Sequence, residues 1–207
     1  RTVEGIEYLL VERYDRTHLE SGALDRLHQE DFCQAQNIVP ETKYQKEGGP
    51  SLKQCFELLR EASSAPVIDL ARLLDAVIFN YLVGNNDAHG KNFSLLYHAV
   101  GTSSQETRFA PVYDIVSTTY YPELSKEMAM KIGNEYSSDR VTPRDFEKFA
   151  EETGLARPLV RQRIPELAEA VRAAIDAAEQ QISHPIAKDV AALIRKRSER
   201  ALDRFRK

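Results

Sequence analysis

The chain has 207 residues, 42% of them hydrophobic and 29% charged, with a formal net charge of −4. This is the composition of a folded globular protein with one sizeable domain or two small ones, and it excludes a disordered or fibrous chain. There is no global basic excess to argue for nucleic-acid binding, no apolar run near the ~20 residues of a membrane helix and no signal-peptide pattern, while Cys33 and Cys55 make no disulfide framework and fit a reducing, cytoplasmic compartment.

In chain order, Ile6, Tyr8 and Leu10 alternate and are followed by Val11 and Tyr14, which predicts one or two strands over about 6–14. Residues 17–50 are mostly polar, with a helix expected at roughly 29–36 and a loop from Pro40 to Pro50 around Gly48-Gly49. Ser51 is a good helix N-cap, with Gln54 as its capping-box partner. Leu52, Cys55, Phe56 and Leu59 then share one helix face, so Cys55 reads as a core residue. Residues 68–83 are apolar on nearly all sides, which predicts a buried helix, and Gly84 suits the left-handed position that ends it.

Residues 85–92 contain no large apolar side chain, and a polar loop hung on a central buried helix is a common place for chemistry. Strand-like pieces follow at 93–97 and at 109–115, the second carrying one acidic residue, Asp114. Residues 116–141 look irregular apart from an apolar segment at 128–132. Thr142-Pro143 predicts a helix start, with Phe146, Phe149 and Ala150 inside and Gly154 as its end. From about 158 the chain is alanine-rich and helical, with long amphipathic patterns over 165–182 and 185–206. The last of these is rich in lysine and arginine between Lys188 and Lys207, which reads as a solvated face or as a contact for an acidic partner or nucleic acid. No internal repeat or low-complexity linker interrupts the chain. The fold expected is mainly α with a few short strands.

Asp87-x-x-x-x-Asn92 is the spacing that carries chemistry. In phosphoryl transfer an aspartate takes the proton of the acceptor hydroxyl, an asparagine further along its loop binds a metal ion, and a second aspartate holds the Mg²⁺ that bridges the phosphates. Hard oxygen ligands are needed because the charge on the transferring group has to be neutralised. Alone the pattern is weak. It gains from its place after a buried helix, from Asp114 downstream, and from a strand upstream where a nucleotide-binding hinge would lie. The alternatives are turn residues bonding their own backbone for Asp87, Asn92 and Asp114, a loop-orienting role for His89, and a solvated or salt-bridged Lys91. Asp87-x-His89 could also open a phosphohydrolase metal pair, but His18, His28, His98 and His184 fall in no ligand-like spacing.

Four blocks in order resemble the HipA family of bacterial serine/threonine kinases, best known as toxins of toxin–antitoxin systems. They are the run from Val11 to Arg16 with Gln29-Glu30-Asp31, the run from Asn86 to Phe93, the run from Pro111 to Ser117, and the segment from Met128 through Gly133 and Asp145-Phe146 to Gly154-Leu155. The resemblance covers most of residues 6–155. It implies a protein-kinase-like C-terminal lobe, with residues 1–16 as hinge-region strands and residues 17–207 as the helical lobe. Within that lobe the catalytic loop would be 85–93, the metal-binding segment 111–117 and the helical tail 158–207. It implies Asp87 as catalytic base, Asn92 and Asp114 as Mg²⁺ ligands, and Glu12, Arg13 and Tyr14 as the hinge whose backbone holds the adenine of ATP. His89 and Lys91 would face the phosphates or the substrate. Implied partners are a protein substrate with a Ser or Thr and a HipB-like antitoxin, through it DNA.

A kinase also needs a phosphate-cradling loop and a strand lysine ahead of the hinge. Ahead of Glu12 there is no lysine, the first being Lys43, and one glycine, Gly5. The expectation is therefore that the small lobe is absent from these residues and that they are a fragment of a longer kinase, inactive alone. The alternative is a naturally short, catalytically dead docking module.

Overall fold

The computed structural model describes residues 2–206 apart from 4, 5, 9, 19, 20, 101–103 and 183. Gly5 and Leu9 thus lie outside the described residues. The chain begins with two antiparallel pairs, β1 (Thr2–Val3) with β2 (Ile6–Glu7) and β3 (Arg16–His18) with β4 (Leu24–Arg26). The strand expected to run on to residue 14 stops at Glu7. Tyr8, Leu10 and Val11 are exposed, and the chain ahead of β3 is held by Asp15, a buried carboxylate that accepts bonds from Arg13 and Arg16.

The helix expected at 29–36 is a strand followed by a single helical turn: β5 (His28–Asp31) and α1 (Phe32–Ala35). Asp31 marks the change. Its carboxylate accepts the Gln34 N–H and the Gln34 side chain returns to the Asp31 N–H, a capping box that lets the residues before it stay extended and pair with a neighbouring strand. Short 3-10 turns follow at Pro40–Thr42 and Gln45–Glu47.

The helices α2 (Leu52–Ala62) and α3 (Pro66–Val83) agree with the sequence pattern, including the reciprocal Ser51/Gln54 cap and Gly84 at φ 74°. Leu52, Cys55, Phe56 and Leu59 are all buried, and α3 is buried along most of its length. Beyond a 3-10 turn at Gly90–Asn92 come β6 (Ser94–Val100) and β7 (Ser104–Phe109), which with β5 form an antiparallel sheet of order β5-β6-β7. The strand expected over 109–115 ends at Phe109. Ala110 makes the last ladder-like bond, to Ser94, after which Pro111 has no N–H to give and Asp114 adopts φ 54°.

A 3-10 turn at Thr118–Tyr120 leads to the hairpin β8 (Glu127–Ile132) and β9 (Glu135–Ser137). Three helices complete the chain: α4 (Pro143–Thr153), α5 (Arg157–Gln181) and α6 (Ile186–Phe205). α5 starts earlier than its amphipathic pattern because Pro158 suits the first helical turn, and it runs through Pro165.

The core lies where α3 packs on α2, α5 and α6. Its aromatic centre is edge-to-face: Phe56 on Phe149 at 5.6 Å, Phe146 on Tyr81 at 5.4 Å and Phe146 on Phe205 at 5.4 Å. Cys55 is fully buried among them, and burial raises its thiol pKa. Among the described residues no helix is long and apolar enough to cross a membrane.

Candidate functional site

An α-helix leaves its last four carbonyls without intrahelical partners. At the end of α3 each of the four is satisfied. Asn80 O accepts the N–H of Asn85, Tyr81 O and Leu82 O accept the guanidinium of Arg197 from α6, and Val83 O accepts the Ser117 hydroxyl. The Gly84 carbonyl accepts the Thr119 N–H and the Thr118 hydroxyl. The helix therefore hands the chain to residues 85–92 from a fixed point, tied to α6 on one side and to residues 117–119 on the other.

The next two residues are buried asparagines. Asn85 donates to Asn80 Oδ1 at 2.7 Å and to the Asp114 carbonyl at 3.4 Å, while its own oxygen accepts the Asp87 N–H at 3.1 Å. Asn86 donates its N–H to Thr118 Oγ1 and its amide to the Ser125 carbonyl, and accepts from Ser138 Oγ. Its carbonyl accepts the Ala129 N–H from β8.

Asp87 is half-exposed. Its Oδ1 accepts the Tyr44 hydroxyl at 2.8 Å and its Oδ2 lies 4.0 Å from His89 Nε2. His89 is 6% exposed and its Nδ1 has no hydrogen-bond partner. Burial, then the nearby Lys43 charge, pulls the His89 pKa below its usual value against the opposing pull of Asp87. Asn92 is buried at the end of the same turn. Its Oδ1 accepts the His89 N–H at 3.3 Å and its Nδ2 donates to Asp114 Oδ2 at 2.6 Å. Asp87, His89, Asn92 and Asp114 are thus brought together.

Tyr14 joins them through a continuous set of hydrogen bonds. Its hydroxyl donates to Gln29 Oε1 at 2.8 Å, Gln29 Nε2 donates to the fully buried Ser94 Oγ at 3.0 Å, Ser94 Oγ lies 2.6 Å from the Tyr113 hydroxyl, and that hydroxyl donates to the Lys91 carbonyl at 2.6 Å. The rings of Tyr14 and Tyr113 also stack, 6.4 Å apart. Lys91 enters this set through its backbone. The Arg13 side chain turns to Asp15 and Glu12 is exposed, so neither side chain reaches the cluster.

Asn92 meets Asp114 through its amide N–H while its oxygen accepts the His89 N–H, so the pair offers one carboxylate and an amide oxygen that a half-turn of the terminal torsion would set beside it. Magnesium favours hard oxygen donors and is ordinarily held by one or two carboxylates together with waters and substrate phosphates, so this small donor set fits it. Among the described residues no group of three or more His, Cys, Asp or Glu lies together as a metal cage, so the phosphohydrolase reading of Asp87-x-His89 finds no third ligand.

The HipA-like C-terminal domain family matches residues 1–175. The chain belongs to that family. A protein of Sinorhizobium fredii named putative kinase Y4mE is 49% identical over 175 residues, covering 84% of this chain and 40% of that protein. The serine/threonine-protein kinase toxin HipA of Shewanella oneidensis is 30% identical over 180 residues, 81% of this chain and 40% of the toxin. A solved structure of the Shewanella oneidensis HipA, HipB and operator DNA complex superposes with a TM-score of 0.77 at 26% identity, over 94% of this chain and 47% of the matched one. The chain therefore spans about two-fifths of the length of these curated relatives.

Within this HipA-like domain, a cleft of about 450 Å³ opens beside Asp87, bounded by Tyr44, Asn86, Thr118, Glu127 and Met128. The sequence pattern gave no role to Tyr44, Tyr113, Asn85 or Asn86. The two asparagines carried a usable signal, being polar residues directly behind an apolar helix. Tyr44 carried none, because its partner is 43 positions away.

Proposed function

We propose that this HipA-like domain is the C-terminal lobe of a serine/threonine protein kinase that uses ATP and Mg²⁺. Asp87 accepts the proton of the acceptor hydroxyl as that oxygen bonds to the γ-phosphorus and the bond to the departing ADP breaks. Asn92 and Asp114 hold Mg²⁺, which supplies charge neutralisation on the phosphates. The backbone at Glu12, Arg13 and Tyr14 receives the adenine, and His89 and Lys91 lie on the turn nearest the phosphates. The cleft beside Asp87 takes the Ser- or Thr-bearing segment of the protein substrate. The observation that carries this reading is that the turn opened by Asp87 brings Asn92 against Asp114 from a separate segment, the Asn92 amide N–H donating to Asp114 Oδ2 at 2.6 Å.

The phosphate-cradling loop and its lysine belong, in this reading, to a small lobe outside these residues, so that the 207 residues alone are inactive. A HipB-like antitoxin, and operator DNA through it, is the proposed partner. It is supported by the matched Shewanella oneidensis structure, which is a complex of HipA with HipB and its operator DNA. The test uses the full-length protein. Asp87→Asn should lower phosphotransfer from labelled ATP by about 10²-fold or more while leaving the melting temperature in place. Phosphotransfer at the unaltered rate would refute the role of Asp87.

A further inference from the structure

Tyr44 belongs to none of the four sequence blocks that carry the family resemblance and to none of the roles assigned above, yet its hydroxyl donates to Asp87 Oδ1 at 2.8 Å. A carboxylate on a short side chain turns over a broad torsional well, and one well-placed donor fixes its plane. We propose that Tyr44 is a positioning residue for the acceptor step, holding Asp87 by Oδ1 so that Oδ2 faces the acceptor hydroxyl in the cleft that both side chains line. This rests on the kinase reading above.

Tyr44 is itself rigidly placed. Its carbonyl accepts the N–H groups of Glu47 and Gly49, both at 2.9 Å. The turn between them needs both glycines: Gly48 sits at φ 101°, and a Cβ on Gly49 would come within 2.4 Å of the Thr42 carbonyl oxygen. Pro50 then presses on the catalytic-loop candidate so closely that a Cβ on Gly90 would lie 2.3 Å from it. On the far side, Gln45 Oε1 accepts the Lys131 N–H at 3.0 Å and Lys46 pairs with Glu127 at 2.5 Å. The Tyr44 ring meets His89 edge-on, centroids 5.6 Å apart. Segment 43–50 is thus clamped between residues 87–90 and the β8–β9 hairpin, and the hydroxyl arrives at Asp87 from a preformed support. Burial and the adjoining carboxylate push the Tyr44 pKa up to about 12, so it remains a donor at neutral pH.

The experiment is a double-mutant cycle in the full-length protein. Tyr44→Phe keeps the ring on His89 and removes only the hydroxyl. It should lower kcat roughly tenfold while KM for ATP and the melting temperature stay put. In an Asp87→Asn background the same change should lower the residual rate no further, because its effect passes through that carboxylate. An unchanged kcat in Tyr44→Phe would overturn the proposal, as would an equal fractional loss in both backgrounds. Full activity in Asp87→Asn alone would instead overturn the kinase reading on which it rests.

Discussion

Asp69 on α3 is fully buried yet charged. Burial works to raise its pKa, but bonds from Arg108, Ser63 and the Phe109 N–H outweigh that effect and hold the carboxyl below its usual value. Arg72 completes the cluster, reaching both Asp69 and the Phe109 carbonyl, so that β7 is fastened to α3. A depressed carboxylate contributes stability that is present above its unfolded pKa, about 4, and lost as pH falls through the folded value. The melting temperature should therefore hold near neutral pH and decline below about pH 4. Asp69→Asn leaves Arg108 partly unpaired and should cost about 3 kcal/mol at pH 7, a drop of about 6–12 °C in a thermal melt. Its acid decline should also be shallower than that of the parent protein. At this scale the sequence was most legible where partners are close along the chain: Asp87 and Asn92 belong to one turn, and their spacing, together with its place after a buried helix, paired them. Asp114 stood out as an acid in an apolar stretch, although it sits outside any strand at positive φ.

Among elements, the junction after α3 bears most on the site. Arg197 reaches across from α6 to two of the four terminal carbonyls and also pairs with Asp139. Arg197→Met keeps the apolar stem but leaves Tyr81 O and Leu82 O buried without donors, at a cost of about 1–3 kcal/mol for each carbonyl left unpaired. The expected result is a lower melting temperature together with faster hydrogen exchange in residues 84–92. Equal loss of protection throughout the chain would argue against a local role. Helices were readable because their signals are local: the Ser51/Gln54 box, the Thr142-Pro143 start and the glycine ends at Gly84 and Gly154 all lie within a turn of the helix they bound. Strands were read less evenly, because their partners are remote: the piece expected at 93–97 is the start of β6, but β5 was read as part of a helix. β5 pairs with β6 through Asp31 opposite Ser94, and nothing near Asp31 announces that.

For the whole molecule, the basic terminal helix shows how charge can mislead when read as a list. Arg195 pairs with Asp176 and Glu179 of α5, Arg197 and Arg200 with Asp139, Arg204 with the carbonyls of Asp139 and Val141, and Arg206 with Glu169. These guanidiniums fasten α6 to its neighbours, which weakens the case for a nucleic-acid surface there. The same scale governs ligand affinity. The 207 residues carry the candidate hinge and metal ligands but no lysine ahead of Lys43. By themselves they should bind ATP with Mg²⁺ at a Kd of ~1 mM, about −4 kcal/mol. Calorimetry decides it, and micromolar binding would mean that the phosphates are held by groups inside this chain.

The contact of Pro50 with Gly90 has a consequence for how such a domain can change over generations. Position 90 cannot gain a side chain while the proline stands, since a Cβ there would collide with its ring, whereas a smaller residue at 50 would leave Gly90 untouched. Tyr44 and Asp87 are bound by the same geometry. Two stretches far apart in the chain therefore constrain each other in a fixed order: residue 50 has to give way before residue 90 can enlarge.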